Sequence, residues 1–322
     1  MPMTSSFVRV TTEMIEESQK QNAAVEALLA GMPAVHTVDV ETTRRERESG
    51  SSWAGPIVRS SRAVPRAIPG PAGRIPLRVV MPERVDGVYL HIHGGGWALG
   101  GADQQDLLLT TAADAANAAV VSVDYRLAPD HPFPAGPDDC EAAAQWLVEH
   151  AVEEFGSSRL MIGGESAGAH LSVLTLLRLR DRQGISGAFK GANLVFGVYD
   201  LAMTPSARSW GDRNLVISTP IMAWFADMFV PGATDDERRS PEISPLYADL
   251  RDMPPALFSV GTLDPLLDDS LFMAARWQAA DNEATLRVYP ESVHGFIRFP
   301  TGIAMLAVQS MLDFACTTLR AD

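Results

Sequence analysis

Five residues, Gly164-Glu165-Ser166-Ala167-Gly168, spell G-x-S-x-G between an apolar run, RLMIGG, and a helical-looking stretch, AHLSVLTLLRLR. A serine on a strand-to-helix turn adopts a strained backbone, and flanking glycines remove the Cβ atoms that would clash there. Its hydroxyl becomes a nucleophile for a carbonyl carbon only if a neutral imidazole takes its proton and a carboxylate fixes the imidazole's tautomer. Of the seven histidines, His36 falls near the N-terminus, His150 on a surface-type helix and His131 in a proline-rich loop. His170 stands one helical turn beyond Ser166 and packs beneath the turn. His294, in ESVHGF just after the strand-like ATLRVYP, is the candidate base, with Gly295 allowing a sharp turn. Asp264, following PALFSVG, is the candidate orienting acid, and Asp200, following ANLVFGVYD, is its rival. Asp268 and Asp269 read as the exposed start of the next helix, where negative charge suits the dipole.

A second motif, HIHGGGW from His91 to Trp97, puts three glycines directly behind the apolar GVYL. Glycine at the end of a buried strand gives up packing, so a run of three calls for close approach to the main chain. Attack on a carbonyl moves negative charge onto its oxygen, and fixed N–H groups stabilise that charge without reorganising. Gly94 and Gly95 can offer such amides closely, and the N–H of Ala167 at a helix N-terminus supplies a third.

These groups need a scaffold that brings them together. PLRVVMP, GVYLHIH, AAVVSVDY, RLMIGG, ANLVFGVYD, PALFSVG and ATLRVYP are short, branched-apolar runs, mostly followed by helical sequence. That alternation predicts an α/β fold with a largely parallel sheet covered by helices on both faces. In such sheets ligands bind beyond the carboxyl ends of the strands, where all the candidates fall. Two regions break the alternation. Residues 1–50 contain TTEMIEESQKQNAAVEALLAG, a helix capped by a threonine and stopped by Gly31, with Val25, Leu28 and Leu29 on one face. After ANLVFGVYD, STPIMAWFADMFVPG starts at Ser218 or Thr219, carries Pro220 in its first turn and ends at Pro231-Gly232. Its apolar residues surround most of the helix, so it lies between two surfaces, as a lid would; a plain core helix is the alternative. Trp97, Trp210, Met222, Phe225 and Phe229 are candidates to line an acyl pocket, though core packing suits each equally. The Pro- and Gly-rich segment from Ala63 to Pro76 reads as the link into the sheet.

At 322 residues and 46% hydrophobic content the chain can bury a large core. A net charge of −14 argues against nucleic-acid partners and anionic membranes. The one basic knot, Arg44, Arg45 and Arg47, is interleaved with Glu46 and Glu48 and reads as a solvated helix face. Cys140 and Cys316 read as reduced thiols, and no Cys/His cluster suggests a metal, so neither cofactor nor metal is expected. MPMTSSFVRV lacks a signal pattern and nowhere do about 18 apolar residues run together, so cytoplasmic residence without stable membrane insertion is the expectation.

The chain resembles the hormone-sensitive lipase family of α/β-hydrolases, serine esterases and lipases. The likeness rests on His93-Gly94-Gly95-Gly96, DYRLAPDHPFPA (124–135), Gly164-Glu165-Ser166-Ala167-Gly168, Asp264-Pro265-Leu266 and His294-Gly295-Phe296. It covers residues 76–300 or so. It implies an eight-stranded, mostly parallel sheet and a helical cap made by residues 1–50 and an insertion at 201–240, with the catalytic domain in residues 51–200 and 241–322. It also implies catalytic roles for Ser166, Asp264 and His294, oxyanion donors in Gly94, Gly95 and Ala167, a small ester as substrate, and a homodimer as a possible assembly. Glu165 departs from the family, which more often carries Asp or Thr there. The lid looks apolar but limited, which favours short to medium acyl chains. An amidase or lactonase using the same groups, or a non-catalytic receptor of this fold, are the alternatives.

Overall fold

A computed structural model describes residues 4–320 of the chain. The first three and last two residues, which belong to the expected terminal segments, lie outside the described residues. One sheet runs through the molecule, built from β1 (Thr4–Phe7), β2 (Ala63–Gly70), β3 (Gly73–Val80), β4 (Gly87–Ile92), β5 (Ala118–Val123), β6 (Leu160–Glu165), β7 (Phe189–Val195), β8 (Ala256–Leu263) and β9 (Ala284–Val293). Their spatial order is β1-β9-β8-β7-β6-β4-β5-β3-β2. β3 runs antiparallel to both its neighbours, β2 and β5, and all other pairs are parallel. The eight strands β2 to β9 make the mostly parallel sheet, and β1 adds a further strand at the β9 edge. β1 carries no apolar alternation, only TSSF, so backbone pairing alone reveals it.

The segment from Ala63 to Pro76 is not a linker: it forms β2 and the turn into β3. Pro65 and Pro69 are tolerated because β2 is an edge strand, where a missing N–H breaks no inner ladder. The helices are α1 (Thr12–Ala30), α2 (Val40–Ser49), α3 (Asp106–Ala116), α4 (Ala135–Phe155), α5 (Ala167–Gln183), α6 (Pro205–Ser209), α7 (Thr219–Phe229), α8 (Asp235–Arg238), α9 (Leu267–Ala279) and α10 (Gly302–Leu319).

The central strands β4, β5 and β6 are buried along their whole length, as parallel strands covered on both faces must be. Their side chains divide by the period of two. Tyr89, Val120 and Met161 join Leu109, Ala113, Ala315 and Leu319 of α3 and α10 on one face. Val88, Leu90, Ile92, Val121 and Ile162 join Leu147 of α4 and Leu174 of α5 on the other. α10 is long and apolar enough to cross a membrane by length and composition. In this fold Ile303, Ala307, Met311 and Leu319 of that helix are buried in the protein.

α1 begins at Thr11, whose hydroxyl accepts from the Met14 amide at 3.3 Å, and ends at Gly31. Two contacts pin it to the main body: the Asn22 amide donates to the Glu291 carbonyl, and Glu17 accepts from the first amide of α10, Gly302 N. Val35, in the turn between α1 and α2, packs with Ile217, Ile221, Met222 and Phe225 in a small apolar cluster of its own. The Glu26–Arg213 ion pair at 2.8 Å ties α1 to the stretch before α7.

Candidate active site

β6, β8 and β9, with β7 lying between β6 and β8, each deliver one polar residue at the carboxyl end. Ser166 follows β6 and opens α5 with φ 56° and ψ −120°, a conformation outside the ordinary regions for a side-chain-bearing residue. What over-determines it is packing. A Cβ on Gly164 would fall 2.0 Å, and one on Gly168 1.9 Å, from the carbonyl oxygen of Ile92, the last residue of β4. The Ser166 turn and the strand leading to the glycine run are therefore in backbone contact, and only glycines allow it.

His294 follows β9, and Gly295 turns the chain with φ 75°. His294 Nε2 lies 3.0 Å from Ser166 Oγ. On its other side His294 Nδ1 lies 2.9 Å from Asp264 Oδ2. A carboxylate only accepts, so Nδ1 carries the proton and Nε2 is left with a lone pair facing the serine hydroxyl. Asp264 Oδ1 accepts the Leu266 amide at 2.9 Å, which locks the carboxylate plane. Asp264 and His294 are both buried, and the Phe196 ring covers the imidazole edge at 4.8 Å.

Asp200 is not in that chain of contacts: it accepts from the Tyr247 hydroxyl and the Ala202 amide. Asp269 corrects an expectation. It is fully buried rather than exposed, accepting from the amides of Tyr199 and Asp200 and from the Thr204 hydroxyl. Burial pushes its carboxyl up to about 7. Asp268 accepts from the Ser206 amide.

The glycine run lies against the serine. A Cβ on Gly94 would come within 3.4 Å of Ser166 Cβ, and Gly95 has φ 119°. Gly94, Gly95 and Ala167 line the same cavity as Ser166 and His294. No hydrogen bond among the described residues engages the amides of Gly94 or Gly95, and Ala167, as the first residue of its helix, has no intrahelical acceptor. The run is anchored from below. His93 stacks on Tyr125 at 4.3 Å, the Tyr125 hydroxyl donates to the His93 carbonyl, and burial drives the His93 imidazole toward its neutral form. Glu165 directly precedes Ser166, its carboxylate accepting from Gln105 Nε2 and lying 3.1 Å from His91 Nε2.

The cavity measures about 510 Å³ and is walled by α1, α2, α7 and the strand ends. Trp97, Met222 and Phe225 line it. Phe225 lies directly over the glycine run, for a Cβ on Gly96 would meet its ring at 2.3 Å. Trp210 and Phe229 do not line it. Phe229 is buried behind Trp97, stacked on its indole at 4.6 Å, and Trp210 turns away to donate to the Arg213 carbonyl. Trp97 is itself fixed by donating to His170 Nδ1 at 3.0 Å.

The basic knot is also different from its expected form. Arg45 is exposed, but Arg44 donates to the carbonyls of Ala98 and Ala128 and to Asp130, and Arg47 lines the cavity and donates to Gln104 Oε1. Positions three apart share a helix face, and that face of α2 is turned inward. Arg298, in the Phe296–Arg298 turn after His294, joins the same wall, as does Leu28 of α1. Charge interleaving gives no hint of which face of α2 looks inward, so the inner arginines carry no signal in the sequence.

Residues 89–298 match a family model described as alpha/beta hydrolase fold. A carboxylesterase named NlhH from Mycobacterium tuberculosis is 38% identical over 231 residues, spanning 70% of this chain and 72% of that protein. An acetyl esterase of Salmonella paratyphi A is 28% identical, spanning 88% of each. Among solved structures, an esterase of Pyrobaculum calidifontis superposes with a TM-score of 0.81 at 29% identity, covering 92% of this chain and 99% of that one.

Proposed function

Because the chain belongs to the hormone-sensitive lipase-like class of α/β hydrolases and is a carboxylesterase-type enzyme, we propose that it cleaves small carboxylic esters through an acyl-enzyme on Ser166. The observation that carries this reading is the 3.0 Å contact between Ser166 Oγ and His294 Nε2, with Asp264 behind the imidazole.

In the first half-reaction His294 Nε2 takes the hydroxyl proton as Ser166 Oγ bonds to the ester carbon. The carbonyl electrons move onto the oxygen, where the amides of Gly94, Gly95 and Ala167 stabilise them. The intermediate collapses, the C–O bond to the alcohol breaks, and the leaving oxygen takes the proton from His294. In the second half-reaction water enters, His294 removes its proton, and the new intermediate releases the carboxylic acid while the proton returns to Ser166. Asp264 stays ionised and stabilises the imidazolium in each step.

Residues 1–50 and 201–240 serve as the cap over this site, and the volume they leave suits short to medium acyl chains. A homodimer is part of the same proposal, as is an enzyme that works on dissolved esters without inserting into a membrane. The test is labelling with an aromatic phosphonate together with hydrolysis of acyl esters of increasing length. Ser166→Ala is expected to lose both labelling and turnover while melting at the parent temperature. Retained turnover would remove the serine from the mechanism, and an optimum at long chains would remove the size assignment.

A further inference from the structure

Two arginines that line the cavity lack the carboxylate partner that three arginines elsewhere in the fold have. Arg78 pairs with Asp106, Arg126 with Asp139, and Arg178 with Asp138 and Glu141. Arg47 instead has the neutral Gln104 Oε1 as its acceptor, at 3.0 Å. The Arg298 guanidinium makes no hydrogen bond or ion pair among the described residues, and the residue, though exposed, lines the cavity. For the half-buried Arg47, a guanidinium without a counter-ion is unfavourable.

The two groups are close enough to act on each other. Burial first, then the neighbouring Arg298, brings Arg47 down to about 10, and the protein around Arg298 lowers it as well. Both remain cationic at neutral pH. No carboxylate on the lining forms an ion pair with either arginine among the described residues. Glu165, which acts on Arg298 from a distance, is held by Gln105 and His91; Asp200 is held by Tyr247 and Ala202; Glu46 lines the cavity from an exposed position on α2. With a net charge of −14 the protein as a whole does not attract anions, so this is a local arrangement. It lines the same cavity as the candidate nucleophile: Arg298 is four residues past His294, and Gln104 precedes the residue that holds Glu165, Ser166's neighbour.

We propose that the cavity selects esters bearing a second, free carboxylate, which Arg47 and Arg298 grip while the ester carbonyl faces Ser166. The substrate class is monoesters of dicarboxylic acids or O-acylated hydroxy acids. A carboxylate fits the fork of a guanidinium, and a single anionic group supplies the counter-charge that the wall lacks. The assignment rests on the esterase reading above.

Two matched pairs test it by acid release in a pH-stat: monoethyl adipate against ethyl hexanoate, with the carboxylate in the acyl half, and 6-acetoxyhexanoate against hexyl acetate, with it in the alcohol half. For at least one pair the anionic ester is expected to show a kcat/KM about tenfold or more above its neutral match. Arg47→Met and Arg298→Met should each lower that ratio at least about fivefold, mainly through KM, and Arg47→Lys should keep part of it. Each ratio is internal to one preparation, so a reduced active fraction cancels. A ratio of one or less in both pairs for the parent enzyme overturns the proposal, as does a ratio that survives in the double variant. If neutral esters are turned over without any carboxylate preference, only this proposal fails. If no ester in either pair is cleaved, the esterase reading fails with it.

Discussion

Gly168→Ala adds one methyl group, and its consequences can be followed atom by atom. The new Cβ would lie 1.9 Å from Ile92 O and 2.8 Å from both the carbonyl carbon and oxygen of His93. Non-bonded atoms do not approach within about 3.0 Å, so one backbone must retreat by about 1 Å. The neighbouring strand is buried on both faces and resists, leaving two ways to yield. The first turn of α5 can lift, carrying Ser166 away from an imidazole now 3.0 Å distant, or the His93–Gly94 junction can withdraw from the serine. Either motion spoils an arrangement whose misplacement by about 1 Å costs on the order of 10²-fold in rate. The expected result is a kcat on p-nitrophenyl acetate at least about 100-fold below the parent, with a melting temperature lowered as well. Gly156→Ala is the control. That glycine has φ 79° but nothing within 4 Å of its would-be Cβ, so it should cost about 1–2 kcal/mol of stability and leave kcat alone. If the Gly168 variant turned over at more than half the parent rate, backbone contact would not be what holds the serine in place.

Asp264→Asn removes the carboxylate that sets the tautomer of His294, so kcat should fall by roughly 10³–10⁴ with little change in melting temperature; a loss under tenfold would contradict the role given to Asp264. Asp269, pushed up to about 7 by burial, gives a signed pH effect. The folded state holds its proton more tightly than the unfolded chain, so the parent loses stability as pH rises from about 4 to 7, by an amount of order 4 kcal/mol. Denaturant melts of Asp269→Asn across that window should lack this decline, and parallel curves for parent and variant would refute the assignment. Phe225→Ala opens the wall above Gly96 and should move the acyl-length optimum upward by two or more carbons, measured on a p-nitrophenyl ester series; an unmoved optimum would place the acyl chain elsewhere.

Much of the arrangement is legible in the order of the amino acids, for identifiable reasons. A parallel sheet buried on both faces leaves short branched-apolar runs, so the strand ends that hold Ser166, Asp264 and His294 show as the places where those runs stop. The glycine motifs show too, although their second use does not: Gly164 and Gly168 also allow two backbones to touch, which depends on a neighbour far away in the chain. Asp269 is misread as exposed because an acidic pair at a helix start looks the same whether its far side meets solvent or the amides of Tyr199 and Asp200. Arg44 and Arg47 are misread for the converse reason, since a charged helix face gives no sign that it is turned inward. Trp210 and Phe229 have the composition of pocket residues, and only packing decides that Phe229 stacks behind Trp97 while Trp210 packs against the core edge and donates to the Arg213 carbonyl.

The opening fifty residues do more than roof the chamber. Through Asn22 and Glu17 they grip the segments on either side of the His294 loop, and through Arg44 they hold the loop that leaves the glycine run. A shortened chain starting near residue 60 would still contain the whole stretch that the family shares, 89–298. Such a minimal version would keep Ser166 yet lose the brace that steadies two of the walls around it, so designers trimming this scaffold should count its first helices among the working parts.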